Sequence, residues 1–124
     1  MKNSIRVLSL LVLSIAASAA SAAESKAVQP MAGILTTLQH FPNAADKEAL
    51  ASIVADKAST ADEKTVATAL TNVQHKVAAG DKAGLEAIVA DAKAGAGVKA
   101  LATAIVNLNH VASPADKEKL AALK

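Results

Sequence analysis

Hydrophobic residues along this chain recur at the spacing of an α-helix, and the same pattern returns every 35 residues. Met31, Leu35 and Leu38 stand at i, i+4 and i+7, and about 100° of rotation per residue puts them on one helix face. β-Branched residues are spread at helical spacing and do not alternate as in a strand. Five sets of recurring apolar positions form the predicted core: Met31/Val66/Leu101, Leu35/Leu70/Ile105, Leu38/Val73/Leu108, Leu50/Leu85/Leu120 and Ile53/Ile88/Leu123.

The recurrence extends beyond hydrophobicity to residue identity. Between residues 36–56 and 71–91, 11 of 21 positions are identical, and a third copy runs from Ile105 to Lys124. A single helical hairpin cannot cover its own apolar face, so hairpins at a fixed period are expected to pack on one another. The sequence predicts an all-α fold of three tandem 35-residue helical-hairpin repeats over residues 31–124. About six short helices would form a short α-solenoid or a compact six-helix bundle.

Helix ends are marked by capping residues. Asn43 can cap a helix that has Asp46 at its third position, and Ser113-Pro114-Ala115-Asp116 carries a similar signal. Thr60 and Glu63 match a capping box. The Asp-Lys pairs at 46–47, 81–82 and 116–117 are therefore interpreted as first-turn residues. Leu50, Ile53 and Val54 are the predicted buried side of the second helix, which we expect to run to about Ser59.

The first residues have the organisation of a secretory signal peptide. Lys2 and Arg6 precede an apolar run over residues 7–16, and small residues follow, so we expect cleavage after Ala22 or Ala23. The run is shorter than the roughly 20 residues that span a bilayer, although an uncleaved anchor is an alternative. Residues 1–22 are thus the predicted signal peptide and 23–30 a short lead-in segment ending at Pro30. The expected product is periplasmic or secreted, with no stable membrane span after cleavage.

Charge and composition argue against several partners. Removal of residues 1–22 takes Lys2 and Arg6 out of 13 basic residues and leaves 11, which balance 11 acidic residues. Nucleic-acid binding normally requires a basic surface, arginine and stacking aromatics, yet no arginine remains and Phe41 is the sole aromatic. A membrane-surface helix would also need a basic face opposite large apolar residues. With no cysteine in the chain, the fold depends on packing.

Motifs for catalysis are missing from the sequence. The chain has no cysteine nucleophile, phosphate-binding glycine loop, HExxH pair or GxSxG elbow. Its histidines belong to a repeated pattern, whereas an active site usually needs one asymmetric constellation. We therefore expect a protein that is not an enzyme.

Histidine recurs at His40, His75 and His110, and two interpretations compete. On a helical wheel His40 lies opposite the apolar stripe near a helix end, where a basic side chain can bond free carbonyls. The alternative is a site for Zn, Cu or Ni, which imidazole suits. Three histidines in a straight ladder could not reach one ion, because helix axes lie about 8–10 Å apart. Three at a pseudo-threefold end of a closed bundle could.

Polar residues accompany each histidine at equivalent positions and predict an exposed interaction face. They are Thr37, Gln39, Asn72, Gln74, Asn107 and Asn109. The leading functional hypothesis is a non-catalytic binding or interaction module with an unknown protein partner. The alternative is a periplasmic metal-binding protein that uses the repeated histidines. Asp56 and Asp91, at the ends of second helices, are expected to bond to the following hairpin.

Overall fold

The computed structural model describes residues 26–123, which form six α-helices and no β-strand. They are α1 (Val28–Thr37), α2 (Ala44–Ala55), α3 (Ala61–Thr71), α4 (Ala79–Ala90), α5 (Ala96–Val106) and α6 (Pro114–Ala121). The all-α prediction is therefore confirmed. The predicted signal peptide, residues 1–22, lies outside the described residues. Within the described part, every helix is too short or too polar to cross a membrane.

Side chains named from the sequence cap three of the helices. Asn43 accepts a hydrogen bond from the Asp46 N–H at 2.8 Å at the start of α2. At α3 both bonds of the capping box form, Glu63 N–H to Thr60 Oγ1 at 3.1 Å and Thr60 N–H to Glu63 Oε1 at 2.6 Å. Ser113 caps α6 in the same way, and Asp46, Asp81 and Asp116 all lie in first turns. Backbone N–H groups that a helix leaves unpaired are satisfied at these ends.

Some helix limits differ from the prediction. α1 already begins at Val28, so Pro30 lies in its first turn, where the missing N–H of proline removes no helical bond. α2 ends at Ala55, before the predicted limit near Ser59. The Asp56 carboxylate there accepts a hydrogen bond from the N–H of Ala58 at 2.9 Å, and Asp91 bonds the N–H of Lys93 likewise. These local turns replace the predicted bonds to the next hairpin.

The core lies mainly on α1, α3 and α5. Every residue of the five predicted apolar sets is buried except Leu123, which is partly buried and packs against the core. α2, α4 and α6 bury a narrower face, centred on Leu50, Leu85 and Leu120. Val54 is 38% exposed, so its predicted place in the core is wrong. An outer helix covers the core with only a narrow stripe, and Val54 falls beside that stripe.

Helix packing brings the two ends of the described chain together. The most extensive contacts join α2 to α3 and α4 to α5, and α1 packs against α6. α5 also contacts both α1 and α3. Contact between the first and last helices is a property of a closed bundle, and the terminal helices of an open solenoid would lie apart. The loops that follow α1, α3 and α5 consequently meet at one end of the molecule.

Candidate metal centre

The three repeated histidines lie in loops beyond the inner helices. α1 ends at Thr37, α3 at Thr71 and α5 at Val106, so each helix stops before its histidine. None of these helices has a basic residue in its last turn. The interpretation of the histidines as last-turn residues is therefore wrong. The reason is local: at Leu38 the backbone becomes extended, with ψ 133°, and the helical wheel no longer applies.

Each histidine occupies a backbone conformation that L-residues rarely adopt. The φ angles are 70° at His40 and 67° at His75 and His110. At His40 the N–H of Phe41 donates to the carbonyl of Gln39 at 2.7 Å, which makes a three-residue γ-turn with positive φ. The same turn occurs at His75. This form of the turn is rare and strained. His110 shares the positive φ, so all three loops hold a specific and costly backbone conformation.

Backbone hydrogen bonds join the three turns in a closed ring. The N–H of His40 donates to the carbonyl of His110 at 2.8 Å, the N–H of His75 to that of His40 at 2.6 Å, and the N–H of His110 to that of His75 at 2.6 Å. Each histidine therefore donates one bond and accepts one. The ring fixes the three Cα atoms around a common axis, and the side chains leave it from equivalent points.

The three imidazoles converge through the same ring atom. Nδ1 of His40 lies 3.1 Å from Nδ1 of His75 and 3.2 Å from Nδ1 of His110, and the remaining pair is 3.0 Å apart. Ring centroids are 4.9 to 5.2 Å apart and ring planes meet at 67 to 78°. The rings therefore stand like the blades of a propeller around the axis. All three residues are exposed at the surface.

Hydrogen bonds alone cannot satisfy this triangle of nitrogens. Nδ1 of a neutral imidazole is either a donor or an acceptor, never both. Among three Nδ1 atoms, at least two must therefore both be donors or both be acceptors. Those two cannot form a hydrogen bond with each other. If all three Nδ1 atoms instead present lone pairs, with the proton on Nε2, the pairs repel unless a cation lies among them. The geometry is thus better suited to a bound cation than to an unliganded cluster.

The size of the triangle fits a metal with an open coordination position. A metal 2.0–2.1 Å from three nitrogens spaced at 3.0–3.2 Å would lie about 1 Å out of their plane. The nitrogen–metal–nitrogen angles would be about 91–106°, between octahedral and tetrahedral values. An ion in the plane would be only about 1.8 Å from each nitrogen, which is too short. For a metal at this position the three imidazoles would form one face of the coordination shell and leave the opposite side available.

The predicted polar face surrounds this cluster. All six of its residues, Thr37, Gln39, Asn72, Gln74, Asn107 and Asn109, are exposed. Asn72 donates to a carboxylate oxygen of Asp81 at 3.0 Å, and the Thr37 hydroxyl donates to the Gly33 carbonyl at 3.1 Å. These two side chains therefore support the loops and helix ends around the histidines.

Sequence reasoning missed the contribution of Phe41 to the surroundings of the cluster. Phe41 follows His40 directly and is 57% exposed, although it is the only aromatic residue of the chain. The equivalent positions carry Lys76 and Val111, so the chain places three different side chains around the three histidines. The signal available in the sequence was the position of the only aromatic residue directly after a repeated histidine.

Comparisons with known proteins add no further assignment. No protein-family model, curated protein or solved structure matches the chain.

Proposed function

We propose that this protein binds one divalent transition-metal ion per chain through Nδ1 of His40, His75 and His110. The observation that carries the proposal is the convergence of three Nδ1 atoms within 3.0–3.2 Å of one another. Imidazole nitrogen suits Zn²⁺, Cu²⁺ and Ni²⁺, and the out-of-plane position fits the zinc–nitrogen distance. The function is binding, and we expect no catalytic activity.

The backbone supports a role for the side chains themselves. Glycine adopts positive φ without a steric penalty, so it would be the natural residue for three such turns. Histidine there costs on the order of 1–3 kcal/mol per position. Residues under such strain occur mostly at functional sites. The use of His40, His75 and His110 at all three turns is explained if the imidazoles are needed as ligands.

Calorimetric titration tests the proposal directly. Purified protein stripped with a chelator is titrated with Zn²⁺ at pH 7.5, and saturable heat at one ion per chain is expected. His40→Gln, His75→Gln and His110→Gln should each weaken binding by a similar factor, because the three ligands are equivalent in geometry. Gln74→Ala, an exposed change beside the cluster, is the matched control and should leave affinity unchanged. Absence of saturable heat in the unmodified protein would refute the proposal.

The proposal includes a closed arrangement of three tandem repeats. Helix starts at Ala44, Ala79 and Pro114 are separated by 35 residues, as are those at Ala61 and Ala96. The matching φ angles of the histidines support the same equivalence. The proposal also includes export, with residues 1–22 as a cleaved signal peptide and a periplasmic or secreted product. Detection of a mature amino terminus at residue 23 or 24 would test the export step.

Partner binding is the second candidate function, and the exposure of Phe41 favours it. An aromatic side chain at 57% exposure beside six exposed polar residues is the type of surface that anchors a protein partner. Metal binding and partner binding are compatible, because they use different side chains: the three imidazoles for the metal, and Phe41 with the polar residues for a partner. Cross-linking in the native compartment tests it: Phe41→Ala should reduce capture of a partner, whereas Val54→Ala, on an outer helix, should not.

A further inference from the structure

A bound metal would have a coordination position that the protein does not fill. The three Nδ1 atoms occupy one face of the ion, and no other His, Cys, Asp or Glu joins the group of ligands among residues 26–123. Solvent or a small molecule can therefore supply the fourth ligand. The inference of a ligand at this position rests on the proposed metal site.

One surface pocket adjoins the histidine cluster through His75. It has a volume of about 320 Å³ and shares His75 with the cluster. Its other lining residues are Phe41, Lys47, Thr71, Val73 and Gln74. The pocket therefore combines an aromatic ring, an ammonium group, an amide and one of the three candidate metal ligands.

Charge selects the class of ligand for this pocket. Lys47 is its only charged lining residue, and no acidic side chain lines it. A divalent ion held by the histidines would add positive charge next to His75. A second pocket, on the other side of Phe41, contains Asp46 and no cation, so an anion would be less favoured there. A zinc ion held by three imidazoles keeps its fourth position for water or substrate, and carboxylate oxygen is among the ligands that Zn²⁺ accepts. The pocket is thus suited to a small organic anion.

The aromatic ring adds a preference for an apolar body. Phe41 is exposed over 57% of its surface and lines the pocket, so a flat ligand could cover part of the ring. We propose that the metal-loaded protein binds a small carboxylic acid with a flat apolar body, its carboxylate on the metal and near Lys47. The apolar body would lie against Phe41.

The test uses Co²⁺-loaded protein, whose visible absorption reports a change of the fourth ligand. Titration with benzoate is compared with titration by acetate and by neutral benzamide. Benzoate should bind at least about tenfold more tightly than acetate, since covering roughly 60 Å² of apolar surface contributes about that factor. Benzamide should be much weaker, because it lacks the charge that the metal and Lys47 recognise.

Matched variants test whether the ligand binds in the pocket lined by Phe41 and Lys47. Phe41→Ala should remove the preference for benzoate over acetate, and Lys47→Met should weaken both acids several-fold. The positions equivalent to Phe41 and Lys47 in the third repeat carry Val111 and Lys117. Val111→Ala and Lys117→Met should change the affinity for neither benzoate nor acetate. Two outcomes would overturn this inference and leave the metal site intact. In the first, the protein binds Co²⁺ but then binds benzoate and acetate equally. In the second, the preference for benzoate over acetate survives Phe41→Ala. Failure to load Co²⁺ or Zn²⁺ at all would overturn the proposed function and this inference together.

Discussion

Replacement of His75 by glycine separates a structural role of the histidines from a metal-binding role. Glycine tolerates the φ of 67° at this position, so the backbone strain is relieved by on the order of 1 kcal/mol. The unfolded chain gains conformational freedom, and the contacts of one imidazole are lost, which opposes the gain. We expect the free energy of unfolding of metal-free protein to change by less than about 1 kcal/mol.

With metal present the same variant should be strongly affected. Metal at 1,000 times its Kd stabilises the folded protein by about 4.1 kcal/mol. Loss of a group that merely orients a ligand lowers affinity by about 10–100-fold, so loss of a ligand should cost about 100-fold or more. The variant would then lose at least about 2.7 kcal/mol of the metal-dependent stabilisation. For a domain of this size that corresponds to roughly 10–20 °C in melting temperature.

Thermal unfolding followed by circular dichroism, with and without Zn²⁺, measures both effects. Gln74→Ala is the control. Gln74 is exposed next to the cluster, and its replacement should leave the Nδ1 atoms of the three histidines in place. His40→Gly and His110→Gly should behave like His75→Gly, since φ differs by only 3° among the three positions. A loss of several kcal/mol in metal-free His75→Gly would show that the imidazole is structural. Equal Zn²⁺ shifts in His75→Gly and unmodified protein would show that the metal binds elsewhere.

Three further measurements test the core, a helix cap and the ligand chemistry. Leu70→Asp should unfold the domain, because Leu70 is fully buried and an unpaired buried charge is among the costliest changes. Val54→Asp on the surface should be tolerated, and similar melting of the two variants would contradict the core assignment. Thr60→Ala should lower the free energy of unfolding by about 1 kcal/mol through loss of the capping box, and a denaturant titration that finds no change would contradict it. Zn²⁺ affinity should fall as the pH is lowered, because protonation removes the lone pair with which an imidazole binds a metal. A calorimetric affinity that stays constant from pH 7.5 to 5 would exclude imidazole ligation.

The helical core could be read from the sequence because its signals are local. Apolar spacing identified positions such as Leu35, Leu70 and Ile105, and all three are fully buried. Capping residues act within three positions of a helix start, so Thr60 with Glu63 could be recognised without knowledge of the rest of the fold. The error at Val54 has a physical origin as well, because periodicity does not tell how wide a buried stripe an outer helix needs.

The arrangement of the histidines could not be read in the same way. A helical wheel assigns a direction only while the backbone stays helical, and α1 ends at Thr37, before His40 is reached. Positive φ at a non-glycine residue leaves little trace in a single sequence. The choice between a ladder and a triangle depended on whether α1 meets α6, which is a matter of packing between residues far apart in the chain.

Closure of the bundle would link the proposed metal binding to folding of residues 26–123. His40 and His110 are separated by 70 residues, yet their Nδ1 atoms lie 3.2 Å apart and a backbone hydrogen bond joins them at 2.8 Å. In an unfolded chain the three ligands would be held together only at the entropic cost of closing two long loops. The metal should therefore bind the folded state almost exclusively, so its binding free energy adds to folding stability. Because the bundle also has a continuous hydrophobic core, removal of the metal should lower stability without unfolding the protein, unlike the behaviour of a zinc finger.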